Sequence, residues 1–206
     1  MLSRLRGAVG RILGPLAKAL LRRGVSPDAV TVVGTVGVVV AALWLFPLGY
    51  LFGGTMVVTF FVLSDLLDGT MARQAGTSGP WGAFLDSTLD RFADAAIFTG
   101  LVLWLAGRGD DPLGAGFGLA CLVLGSIVPY TRARAEGLGM TANVGIAERG
   151  ERILLALTAA GVVGLGAPQV VLTVVLGLLA VASAVTIGQR MATVRRQVTS
   201  GSGATT

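Results

Sequence analysis

Six long apolar segments leave this chain few folds to choose from. They cover about 28–46, 51–72, 83–106, 113–135, 148–166 and 169–190. The hydrocarbon core of a bilayer takes a helix of roughly 20 apolar residues. Backbone polar groups must be satisfied within each segment there, which excludes open sheets. The pattern therefore predicts an all-α integral membrane protein with six transmembrane helices. A mean hydropathy of +0.79 and a charged fraction of only 13% exclude a soluble globule. The length fits a single membrane domain over 1–197. The remainder, 198–206, ends Ser-Gly-Ser-Gly-Ala-Thr-Thr and is expected to be a disordered tail.

The flanks of these segments carry topology. Residues 1–23 place Leu2, Leu5, Val9, Ile12, Leu13, Leu16 and Leu20 at helical spacing, with Arg4, Arg6, Arg11, Lys18, Arg22 and Arg23 between them. That pattern is an amphipathic helix lying in the membrane interface. The charges interrupt any apolar core that a signal peptide would need. Gly24 breaks the helix, and Ser26-Pro27-Asp28 starts the next with an N-cap, a proline at the first position and an acid in the first turn. An even number of spans puts both termini on one side. That side then holds every basic residue of the chain except Arg108, so both termini are expected in the cytoplasm of a multi-pass cell-membrane protein. The basic residues sit at segment ends and form no nucleic-acid surface. The composition, rich in Ala, Gly and Val with Lys18 as the single lysine, fits a GC-rich bacterial genome. With no histidine, His-based metal sites and general bases are excluded, and Cys121 alone permits no internal disulfide. Gly34, Gly37, Gly100 and Gly125 lie within spans, where they permit close helix contact.

Chemistry concentrates between residues 65 and 90. The run reads Asp65, two residues, Asp68-Gly69, two residues, Ala72-Arg73, eight residues, Gly82, then Asp86 and Asp90 at intervals of four. Asp65 and Asp68 share a face at the end of the second segment, and Asp86 and Asp90 share a face at the start of the third. A carboxylate costs roughly 2.5 kcal/mol or more at the centre of a membrane helix. Four together also repel one another, so something positive is expected among them. Oxygen ligands of this kind suit Mg2+, with Mn2+ as the alternative. Two ions bridged by aspartates would stabilise both sides of a phosphoryl displacement. Gly69 lets a ligand approach the helix backbone, and Arg73 offers a fork to a phosphate. Asp94 continues the Asp86–Asp90 stripe one turn deeper and is read as a structural hydrogen-bonding residue. A cation transporter would place its acids deep within the spans and would leave Gly69 and Arg73 without a role.

The run Asp65 to Asp90 resembles the signature of the CDP-alcohol phosphotransferases. The resemblance implies metal ligation by Asp65, Asp68, Asp86 and Asp90, with Asp90 also the catalytic general base. It implies contacts to CDP-diacylglycerol from Gly69, Arg73 and Ser78, and from Asp28-Ala29-Val30-Thr31 at the opening of the first span. Many members of the family have Asn where this chain has Asp28. The resemblance further implies a homodimer among membrane lipids.

Ser26 to Thr31, Tyr130 to Glu136, and Glu148-Arg149 with Arg152 are similar to the actinobacterial branch of the family whose product is phosphatidylinositol phosphate. That similarity implies an inositol phosphate acceptor, with glycerol phosphate as the alternative. Arg134, Arg152 and Arg190 lie at the cytoplasmic ends of spans four, five and six, where three guanidinium groups could converge on the acceptor's phosphate. Arg195 and Arg196 look like contacts to anionic lipid. The implied reaction has Asp90 take a proton from an inositol hydroxyl, whose oxygen attacks the β-phosphorus and expels CMP.

Overall fold

The computed structural model describes residues 13–201, the side chain of Asp65 excepted. Every regular element among the described residues is a helix. Residues 13–22 are helical, with Ala17 buried; residues 1–12 of the expected interfacial helix lie outside the described residues. There follow α1 (Pro27–Leu45), α2 (Leu51–Ala75), α3 (Pro80–Ala106), α4 (Pro112–Glu136), α5 (Arg149–Gly164) and α6 (Val170–Gly201).

Local chemistry sets the ends. Ser26 caps α1, its side chain accepting the Ala29 amide at 3.2 Å, and Pro27 occupies the first turn without a donor to lose. Gly76 ends α2 in the left-handed conformation at φ 67°, which costs a residue without a Cβ nothing. Pro80 then opens α3, so only 76–79 separate the two halves of the aspartate motif. α6 runs past Val198, where the sequence predicts a tail to begin. Thr199 and Ser200 turn their hydroxyls back onto the carbonyls of Arg195 and Arg196 at 3.2 and 2.7 Å instead of leaving the helix. Residues 202–206 lie outside the described residues.

The six helices close into a ring. α1 packs on α2 and α3, α3 on α4, α4 on α6, α6 on α5, and α5 back on α2. The interior holds Phe46, Ile97, Phe98, Leu101, Leu172 and Leu176. The exterior is apolar as well: Phe60, Leu154, Leu178 and Val181 are each more than 60% exposed. An apolar outer surface of this extent is that of a protein solvated by lipid. At Gly100 an added Cβ would collide with the Ala42 carbonyl, and at Gly34 with the Ser64 hydroxyl. Small residues thus let α1 lie tightly against α3 and α2.

Four of the six helices are long and apolar enough to cross a membrane: α1, α2, α4 and α6. The sequence predicts six spans. In α3 the shortfall comes from Asp90, Arg91 and Asp94, which fall within its apolar stretch. In α5 it comes from length, since 16 residues rise only about 24 Å. By contrast the 32 residues of α6 rise about 48 Å and extend well beyond a hydrocarbon core. α6 holds the 137–148 connection in place at two levels. Gln197 exchanges hydrogen bonds with the Thr141 backbone at 3.0 and 2.6 Å, and the Thr186 hydroxyl accepts the amides of Ile146 and Ala147, both at 3.1 Å. The start of α5 is thereby fixed next to α3.

Candidate active site

The C-terminal turns of α2, the 76–79 turn and the N-terminal turns of α3 and α1 enclose a cavity of about 550 Å³. Asp68, Gly69 and Arg73 reach it from α2, Ser78 from the turn, Asp86 from α3, and Asp28 and Thr31 from α1. Both halves of the motif and the opening of the first helix therefore meet in one place. Ala29 and Val30 do not line this cavity. Helical geometry puts Asp28 and Thr31 on one face and turns the two residues between them away. Trp81, which the sequence reading did not single out, donates its indole N–H to Asp28 Oδ2 at 2.9 Å and ties the start of α3 to α1. A lone tryptophan among the eight variable positions of the motif carries no signal of its own.

Asp68 is 7% exposed, and its Oδ2 is buried without a hydrogen-bond donor. Asp86 lines the same cavity. An unsatisfied acceptor-only oxygen facing a second carboxylate is costly on its own and fits a hard divalent cation. Arg73 donates to the Thr70 hydroxyl at 3.0 Å and presents its exposed guanidinium at the cavity mouth.

Asp90 lies one turn further along α3. It lines a small recess with Thr31, Ser64, Asp68 and Arg149. Arg149, the first residue of α5, places Nη2 2.9 Å from Asp90 Oδ1 and Nε 2.9 Å from Asp94 Oδ1. Arg91 stands 3.7 Å from the other Asp90 oxygen. Among the described side chains no three carboxylates come together as a metal cluster. Asp94 is 8% exposed and hydrogen-bonded, in keeping with its structural reading. No local pattern marks Arg149 for this role, because its partners lie 55 and 59 positions away.

The three arginines expected to hold an acceptor's phosphate differ in their surroundings. Arg152 is 1% exposed and donates to the carbonyls of Ala147 and Gly125 at 3.1 and 3.3 Å. The Gly125 carbonyl is available because Pro129, inside α4, has no amide to return to it. Arg190 donates Nε to the Val144 carbonyl at 2.9 Å and Nη1 to the Val128 carbonyl. Arg152 and Arg190 thus reach α4 about one turn apart, whereas Arg134 is exposed on its last turn.

A profile of the CDP-alcohol phosphatidyltransferase family matches residues 24–187. The phosphatidylinositol phosphate synthase of Streptomyces avermitilis is 51% identical over 201 residues, covering 95% of this chain and 82% of its own. The crystal structure of the phosphatidylinositol phosphate synthase of Mycobacterium tuberculosis with CDP-DAG bound superposes with a TM-score of 0.86 at 46% identity, covering 89% of this chain and 94% of that one. The same synthase in complex with manganese and citrate gives a TM-score of 0.83 at 46% identity, covering 88% of each chain. The matched region contains all four motif aspartates and the whole cavity that Asp68 and Asp86 share. The chain belongs to the CDP-alcohol phosphatidyltransferase family.

Proposed function

We propose that this chain transfers the phosphatidyl group of CDP-diacylglycerol to an inositol phosphate and releases CMP. The observation that carries this reading is the single cavity that gathers Asp68, Asp86, Gly69, Arg73, Ser78 and Asp28. The similarity to phosphatidylinositol phosphate synthases over most of the chain supports the donor and the acceptor. Asp65, Asp68, Asp86 and Asp90 would hold the metal, two Mg2+ ions with Mn2+ as a substitute; when bound, it neutralises charge developing on the transferred phosphate. Gly69 admits the donor's phosphates to the helix backbone, and Arg73 forks onto one of them. Ser78, Asp28 and Thr31 border the nucleotide. Asp90 accepts the proton of the attacking inositol hydroxyl. Arg134, Arg152 and Arg190 would attract the acceptor's phosphate. An apolar groove of about 420 Å³ between α2 and α5 ends at Arg149, which would let acyl chains remain in the bilayer.

The membrane arrangement belongs to the same proposal. All six helices span, because α3 is held between α1 and α4, and α5 between α2 and α6, each a pair long and apolar enough to cross. The arginine distribution supports a cytoplasmic site in the cell membrane, and the protein works as a homodimer. The deciding experiment supplies purified protein with CDP-diacylglycerol, Mg2+ and either inositol phosphate or glycerol phosphate. CMP release is expected with inositol phosphate at least about 100-fold faster in kcat/KM, a discrimination of the size that hydrogen-bonded hydroxyls provide. Equal or preferred use of glycerol phosphate would overturn the acceptor assignment.

A further inference from the structure

Arg149 divides one guanidinium edge between two carboxylates, which is an unusual use of it. Its Nε and Nη2 form the fork that ordinarily grips both oxygens of a single carboxylate. Here Nε takes Asp94 Oδ1 and Nη2 takes Asp90 Oδ1, each at 2.9 Å. Asp94 Oδ2 is left buried with no hydrogen-bond donor, and Arg152 Nη2 stands 3.9 Å from it. An unsatisfied oxygen on a residue 8% exposed is a standing cost. A small movement of Nη2 from Asp90 to Asp94 would complete the fork and satisfy that oxygen. Arg149 also begins α5, where the helix dipole disfavours a cation, so it needs carboxylate partners in either position.

From this geometry we propose that Arg149 is a positioning residue that competes with a divalent cation for Asp90 and withdraws onto Asp94 when the cation binds. The inference rests on the reading of Asp90 as a metal ligand. Asp94 is the second seat that makes the exchange possible, and the general base comes free only when metal arrives.

The test is Mn2+ binding to the purified chain in detergent micelles, without substrates, read from the electron paramagnetic resonance of free Mn2+. Arg149→Gln is expected to tighten Mn2+ about tenfold, the value of a half-buried charge pair. Asp94→Asn removes the second seat and is expected to weaken Mn2+ about threefold. In the Arg149→Gln background, Asp94→Asn should change nothing further, because Asp94 acts through Arg149. Additive effects in the double variant would reduce both residues to general electrostatics and overturn the exchange, as would unchanged or weaker Mn2+ binding by Arg149→Gln. Should Arg149→Gln fail to fold, Arg149→Lys keeps the charge without the fork and is expected to tighten Mn2+ about threefold; wild-type affinity would overturn the proposal. Asp90→Asn separates the two layers. If it leaves Mn2+ affinity unchanged, the metal reading of Asp90 fails and the exchange falls with it. If it weakens Mn2+ while Arg149→Gln has no effect, only the exchange fails.

Discussion

A guanidinium that is 1% exposed inside an apolar ring must find acceptors for its donors. Arg152 finds one in a carbonyl that Pro129 releases 27 residues earlier. It also stands 3.9 Å from Asp94 Oδ2, so removing it strands the Gly125 carbonyl and takes a cation away from a buried carboxylate oxygen. Arg152→Ala is therefore expected to cost about 3 kcal/mol or more in stability, the penalty for breaking a buried charge network. Arg134→Ala, on an exposed last turn, should stay within about 0.5 kcal/mol. Unfolding midpoints of the two variants in one detergent compare them directly, and equal losses would contradict this division. Spacing from the helix ends placed both arginines in one class. The proline that separates them acts across two helices, which no local pattern displays.

Among the elements, α4 offers a clean test at the end remote from the aspartates. Asp111 caps it, accepting the Gly114 amide at 2.8 Å and the Thr173 hydroxyl of α6. These two bonds, the hydroxyl's first, hold its carboxyl below the usual carboxylate range. A depressed folded value means that the cap's contribution is complete above the unfolded pKa and disappears as pH falls through the folded one. Asp111→Ala should cost about 1 kcal/mol at neutral pH, and the wild-type and variant unfolding midpoints should converge in acid. A constant gap down to the lowest accessible pH would show that packing, not the charged cap, is responsible. Helix starts of this kind were legible: Ser26-Pro27-Asp28 reads as the cap it forms. The far end of α6 was not, because Thr199 and Ser200 are as compatible with a tail as with a helix that satisfies their hydroxyls.

For the whole molecule, the closed ring is what brings distant residues to the motif. α2 and α3 meet through a four-residue turn, so the Asp68–Asp86 cavity could be read from spacing alone. Asp90 meets Arg149 only because α5 returns between α2 and α6, a closure that hydropathy does not encode. In the proposed reaction this ring places a carboxylate general base beside a phosphatidyl donor. Its most direct test compares CMP release by purified wild type and Asp90→Asn, with CDP-diacylglycerol, inositol phosphate and saturating Mg2+. A positioned base contributes about 10²–10⁴-fold. The variant is expected to fold, retain CDP-diacylglycerol binding and lose at least about 100-fold in kcat. A loss below about tenfold with donor binding intact would contradict it.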